Sequence, residues 1–179
     1  MTQTAKNYGN ALYELARDEG LSEDIYAQFS QVTEIFSQTP DYIRLLSTPT
    51  VSKQERCAVL DEAFGGRLQP YLLNFLKILC QKGYIRQHGD CFAQYRSRYN
   101  EDHGILSAVA VTAAPLTPVL REKLVQKLCA VTGKQVHLEL RVDPSVLGGV
   151  RLEMDGRQLD GTVKQRLNTL RQSLSQTVL

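Results

Sequence analysis

The chain is 179 residues long, with 42% apolar and 22% charged residues, a size that fits one mid-sized domain or two small ones. Its 21 Lys+Arg against 19 Asp+Glu leave a net charge of +2. That is too even for a general nucleic-acid binder, and no run of five like charges offers a polybasic patch for RNA or a membrane surface. The longest purely apolar stretches are a few residues, as in Ala108 to Ala110, far short of the ~20 needed to cross a bilayer.

Met1-Thr2-Gln3-Thr4-Ala5-Lys6 has neither the apolar core of a signal peptide nor the Arg/Ser richness of a transit peptide, so a cytosolic, bacterial address is expected. Cys57, Cys80, Cys91 and Cys129 form no Cys-x-x-Cys pair and have no His at ligand spacing. Reduced, buried thiols are expected.

From residue 5 to 103 apolar residues recur at intervals of three and four, the helical period. The first helix carries Ala5, Tyr8, Leu12 and Leu15 on one stripe and stops near Gly20. A second begins at Ser22, with Glu23 and Asp24 in its first turn and a stripe of Ile25, Phe29, Val32 and Ile35 or Phe36. Pro40 restarts the chain in a short third helix. Ser52-Lys53-Gln54-Glu55 has capping-box spacing and opens a fourth through Phe64, closed by Gly65-Gly66. A fifth runs from about Leu68 to Cys80 with Gly83 as its cap. A sixth carries Ile85, Phe92, Tyr95 and Tyr99 and ends by Gly104. Six helices joined by short links predict a bundle over residues 1–104.

After Gly104 the period changes. Leu106, Ala108, Ala110 and Thr112 alternate with Ser107, Val109, Val111 and Ala113, which predicts a small-residue strand covered on both faces. Thr117-Pro118 starts a helix bearing Leu120, Leu124, Leu128 and Val131 that stops at Gly133. Val136, Leu138, Leu140 and Val142 then alternate with Gln135, His137, Glu139 and Arg141, as a half-buried strand requires. Gly148-Gly149 marks a turn, Val150, Leu152 and Met154 alternate again, and Asp155-Gly156 is a hairpin signal. A final helix carries Val163, Leu167, Leu170, Leu174 and Val178. The predicted fold has two domains: the helical one over 1–104, then a small α/β domain with a C-terminal helix over 105–179. Charge divides with them, 11 basic against 13 acidic residues in the first and 10 against 6 in the second.

Phosphate-binding, dinucleotide-binding, zinc-protease and nucleophile-elbow motifs are all missing. His88, His103 and His137 read as ordinary side chains rather than bases or ligands. Cys57 and Cys129, mid-helix among apolar neighbours, read as small hydrophobes. Gly148-Gly149 leads into a strand, so it lacks the helix N-terminus that would hold an anion. Asp160-Gly161-Thr162 reads as an N-cap. No catalytic residue, metal ligand or cofactor is expected, which favours a binding protein. The fifth helix is unusual. Leu72, Leu76 and Leu79 define one face, Leu73 and Cys80 one flank, Phe75 and Ile78 the other, an apolar arc of roughly 220° where about 100° serves a surface helix. Either this helix is central, or its spare face takes a partner helix.

Several segments, taken in order, resemble one family. They are Tyr8-Gly9-Asn10-Ala11-Leu12-Tyr13-Glu14-Leu15-Ala16, Leu45-Leu46-Ser47-Thr48-Pro49, and Asn74-Phe75-Leu76 through Gly83-Tyr84-Ile85. Val111-Thr112-Ala113-Ala114-Pro115-Leu116, Val142 through Val150, and Leu159 through Leu167 complete the set. Across essentially its whole length the sequence resembles the delta subunit of bacterial F-type ATP synthase, the equivalent of the mitochondrial oligomycin-sensitivity-conferral protein. Two departures stand out: Tyr84 where an Arg commonly follows the glycine, and Thr162 where Ser is common.

The resemblance implies a non-catalytic stator subunit of the peripheral stalk, present in one copy and not as a homo-oligomer. It would lie at the cytoplasmic face of the plasma membrane through its complex, without inserting. It also implies that the helical domain grips the N-terminal helix of an alpha subunit between helices one and five, which puts forward Tyr8, Ala11, Leu15, Phe75 and Ile78. The α/β domain would hold the b subunits, with regional candidates Gly148, Gly149, Val150, Leu167 and Leu170. Ile78→Asp or Phe75→Asp is then expected to weaken alpha binding and leave the fold helical. Two rivals are a small enzyme using Asp160 with His137 or Glu139, and an unrelated helical adaptor.

Overall fold

Hydroxyls, prolines and glycines set the ends of the helices in this chain. The computed structural model describes residues 2–146, 148–154 and 157–161. Helix α1 (Gln3–Asp18) is entered through Thr2, whose hydroxyl accepts the Ala5 amide. Helix α2 (Ser22–Gln38) has Glu23 and Asp24 in its first turn, and α3 (Pro40–Ser47) starts on its proline. Helix α4 (Lys53–Phe64) opens with the full capping box: the Glu55 amide donates to the Ser52 hydroxyl, and the Ser52 amide donates to the Glu55 carboxylate. Helix α5 (Pro70–Lys82) begins two residues later than the apolar pattern suggests, because Pro70 takes the first helical position, where a missing N–H costs nothing.

The sixth predicted helix is split. A 3-10 turn, Ile85–Gln87, precedes α6 (His88–Asp102) and carries Ile85 into the core. Six α-helices thus precede the first strand among the described residues. Contacts divide the chain into two compact units, Met1–Tyr99 and Asn100–Leu179, with the boundary in the last turn of α6.

The core of the first unit is aromatic. Phe29 of α2 meets Phe75, Phe92 and Tyr95 edge-on at 5.6, 5.1 and 6.2 Å between ring centroids, and Tyr13 meets Tyr95 at 5.3 Å. Such tilted ring contacts add to the burial of each side chain. Arg56 is also buried: its guanidinium donates to the Leu46 carbonyl at 3.1 Å, at the C-terminal end of α3 where a cation is favoured.

In the second unit the sheet order is β2-β1-β3-β4. Strand β1 (Ile105–Thr112) pairs in parallel with β2 (Gln135–Val142), and α7 (Pro118–Thr132) provides the crossover that a parallel pair needs. Strand β3 (Val150–Met154) runs antiparallel to β1 on its other side, and β4 (Arg157–Asp160) antiparallel to β3 with Met154 opposite Arg157. Asp155 and Gly156, the hairpin signal, lie outside the described residues, as does the predicted last helix from Val163 to Val178.

Helix α7 packs Leu124, Val125 and Leu128 over Ala108, Ala110 and Leu138. Two strand expectations need correction. Strand β1 is not covered on both faces: Leu106, Ala108 and Ala110 are buried, whereas the other face runs from exposed Ser107 through half-buried Val109 to buried Val111. On β2 only Leu138 of the four apolar alternates is buried; Val136 is half-buried, and Leu140 and Val142 on the far half of this edge strand are exposed.

Candidate functional site

The apolar stripe of α1 is rotated from the one its large residues suggest. Its buried residues are Ala5, Gly9, Leu12, Tyr13 and Ala16. The cause is Gly9, where an added Cβ would lie 2.6 Å from the Cys91 carbonyl oxygen and 2.8 Å from Cβ of Gln94, so α6 approaches the α1 backbone itself. Gln94 then donates from Nε2 to Asn10 Oδ1 at 3.0 Å. Tyr8, Ala11 and Leu15 fall on a common flank about 80–140° from the middle of the buried stripe: Tyr8 is half-buried, Ala11 exposed and Leu15 41% exposed.

Helix α5 carries the matching flank. Leu72, Leu76, Leu79 and Cys80 are fully buried, so most of the wide apolar arc belongs to a central helix. Ile78 is left 43% exposed. Phe75 departs from the sequence expectation of a spare face: it is only 7% exposed, held between Phe29 and Tyr8, whose ring it meets edge-on at 6.4 Å. It lies about 60° from the Leu72 face where Ile78 lies about 120° away, and the rings of α1 and α2 close over it. Phe75→Asp therefore attacks the core and cannot report on binding alone.

Tyr84, which in the sequence is only a departure from the family pattern, joins this cluster in the structure. Gly83, at φ +77, turns the chain so that its amide donates to the Cys80 carbonyl and the Tyr84 amide donates to the Leu79 carbonyl at 2.7 Å. This is the two-bond glycine cap, in which the residue after the glycine is returned against the helix. Tyr84 is thereby set 6.1 Å from the Tyr8 ring, 36% exposed. The Gly-Tyr pair at a helix end was the signal available in the sequence.

The buried thiols suit packing rather than chemistry. Burial pushes the Cys91 thiol up to about 11 and raises Cys80, against the lowering effect of the Arg56 guanidinium. A thiol so held is little ionised near neutrality. In the second unit, Gly148 and Gly149 both have positive φ, 89° and 86°, as a turn requires, and Val150 opens β3 half-buried. Leu167 and Leu170 lie outside the described residues. Asp160 is not brought to His137 or Glu139: β4 and β2 are opposite edges of the sheet, separated by three strand spacings or about 14 Å.

The sequence profile described as ATP synthase delta (OSCP) subunit matches residues 4–174. The chain belongs to the ATP synthase delta (OSCP) family. Among its relatives, ATP synthase subunit delta of Alkaliphilus metalliredigens is 32% identical, over 98% of this chain and 97% of that protein. ATP synthase subunit delta 1 of Syntrophotalea carbinolica is 34% identical, over 94% and 95% respectively. The fold matches a chain in the cryo-EM structure of the Toxoplasma gondii mitochondrial ATP synthase hexamer with a TM-score of 0.80 at 19% identity, covering 97% of this chain and 98% of that one. As a member of the delta (OSCP) family the chain is a structural component of the peripheral stalk and carries no catalysis of its own. No helix among the described residues is long and apolar enough to cross a membrane.

Proposed function

We propose that the first unit grips the N-terminal helix of an alpha subunit in the groove between α1 and α5. The second unit holds the b subunits of the stalk, so that the catalytic head is restrained against rotor torque while the complex makes ATP. The observation that carries the first part is a set of apolar side chains not fully covered by the unit's own core, Tyr8, Ala11 and Leu15 on α1 and Ile78 on α5, on two helices that meet where the Tyr8 ring packs on Phe75. An amphipathic helix laid between them removes these side chains from water. Each Leu- or Ile-sized anchor so covered contributes about 1.5–3 kcal/mol before ordering costs, and a handful reaches nanomolar affinity. Resisting torque asks for tight contacts and no chemistry.

For the b subunits the supporting features are regional: the Gly148-Gly149 turn, Val150, and the stripe positions Leu167 and Leu170. Helix α7 adds exposed Leu120 and Val131 in the same unit. On this reading the complex lies at the cytoplasmic face of a bacterial plasma membrane, with one copy of this chain in each.

The test is calorimetric titration of the full chain with a synthetic peptide of the alpha subunit's N-terminal segment, repeated with Ile78→Asp. Ile78 is exposed enough for the substitution to spare the fold. One-to-one binding lost on mutation is the expected result, and binding that survives it moves the groove elsewhere.

A further inference from the structure

Ala11, Leu15 and Ile78, the exposed residues put forward for the α1/α5 groove, are all apolar, and a floor of such residues sets no register. A helix displaced along it by one turn exchanges one methyl-lined contact for another at little cost. Tyr8 and Tyr84 differ from this floor. Their rings lie 6.1 Å apart, and Leu15 lies about 10 Å further along α1 from Tyr8.

Two other tyrosines of the same unit spend their hydroxyls internally, half-buried Tyr42 donating to the Val59 carbonyl and buried Tyr95 to the Ser22 carbonyl. Neither Tyr8 nor Tyr84 has a hydrogen-bond partner for its hydroxyl among the described residues. Tyr84 is also held in place beforehand. Its amide is fixed to Leu79 by the Gly83 cap, and Tyr8, against which it rests, is backed by Phe75. Little ordering cost remains when the pair meets a ligand.

We propose that Tyr84, together with Tyr8, fixes the register of the docked helix by hydrogen-bonding an unpaired backbone group in that helix's terminal turn. Helix ends are where an otherwise apolar helix face offers such groups, since the first four amides and last four carbonyls have no partner within the helix. The hydroxyl suits either end, because it both donates and accepts. Tyr84 is thus a specificity-determining residue of the groove. This rests on the groove assigned under Proposed function.

The experiment is titration of the full chain with the alpha-subunit N-terminal peptide, comparing the unmodified chain with Tyr84→Phe, Tyr84→Ala and Ile78→Asp, with thermal unfolding of each. Tyr84→Phe keeps the ring and removes the hydroxyl, so it is expected to weaken binding about three- to tenfold without changing the melting temperature. Tyr84→Ala is expected to weaken it further. Binding by Tyr84→Phe equal to that of the unmodified chain overturns the hydroxyl's role, even if Tyr84→Ala binds worse. If Ile78→Asp binds unchanged, the groove itself is misassigned, which separates that failure from the first.

Discussion

At Gly9 a single hydrogen atom decides how two helices cross. With a Cβ 2.6 Å from the Cys91 carbonyl oxygen, α1 and α6 must separate or shift, and the Asn10–Gln94 bond beside the crossing goes with them. Gly9→Ala gains helix propensity but overpacks a backbone contact. A net loss of about 1–3 kcal/mol is expected, read as a lower urea midpoint with an unchanged slope. The stripe of large residues in the sequence pointed to Tyr8 and Leu15 because periodicity weighs apolar size. The real stripe runs through Gly9 and Ala16, whose smallness brings the neighbour close. That displacement is what leaves Tyr8, Ala11 and Leu15 free on one flank. The buried Arg56 was equally illegible, since nothing local announces that its partner is a helix-end carbonyl ten residues earlier.

His88 supplies the second prediction at this scale. It is the first residue of α6, with Nδ1 2.9 Å from the Ile85 carbonyl and its ring edge-on to Phe36 at 4.9 Å. Burial lowers its pKa below 6.5, against the raising effect of the Ile85 carbonyl. The folded state therefore resists protonation more than the unfolded state does, and unfolding takes up a proton. The contribution of this group is fully present above about pH 6.5 and is lost as pH falls through the depressed folded value. Urea midpoints measured from pH 7.5 down to 5 are expected to fall less steeply for His88→Gln than for the unmodified chain. Parallel curves would remove His88 from the account.

Among the elements, those whose ends carry their own chemistry were legible from sequence. The Ser52–Glu55 box, Thr117-Pro118 and the glycines after α5 and α7 all act where local spacing says they should. Elements whose limits depend on tertiary contact were not. The helical period continues through Ile85, but the structure places a 3-10 turn there, and β2 alternates over eight residues while its unit covers only the middle. The box gives a test confined to one element. Ser52→Ala removes the acceptor for the Glu55 amide, and about 1 kcal/mol of stability is expected to go with it. Glu55 also changes. Its carboxyl is held below the usual range by the Ser52 amide first and the Ser52 hydroxyl second. A lowered carboxylate adds stability above its unfolded pKa that is lost as pH falls through the folded one. The gap between Ser52→Ala and the unmodified chain is therefore expected to narrow in acid, measured by denaturation at pH 7 and pH 3.

For the whole molecule the question is whether the two units are independent as folded objects. The first closes its core within itself: Tyr99 stacks on Tyr26 at 4.5 Å, Tyr95 lies against Tyr13 and Phe29, and α6 extends only to Asp102. The second has its own smaller core under α7. A chain cut after residue 104 keeps every ring of the first core and every residue put forward for the alpha groove. A fragment of this size with a continuous core is large enough to fold alone. Residues 1–104 are therefore expected to give a helical circular dichroism spectrum and one cooperative unfolding transition. They should also bind the alpha-subunit peptide within about threefold of the full chain, as additivity of separate sites requires. If the fragment folds but binds much more weakly, the second unit contributes to the groove. If it does not fold, the division by contacts is not a division in stability, and the two halves of this stator part hold each other up.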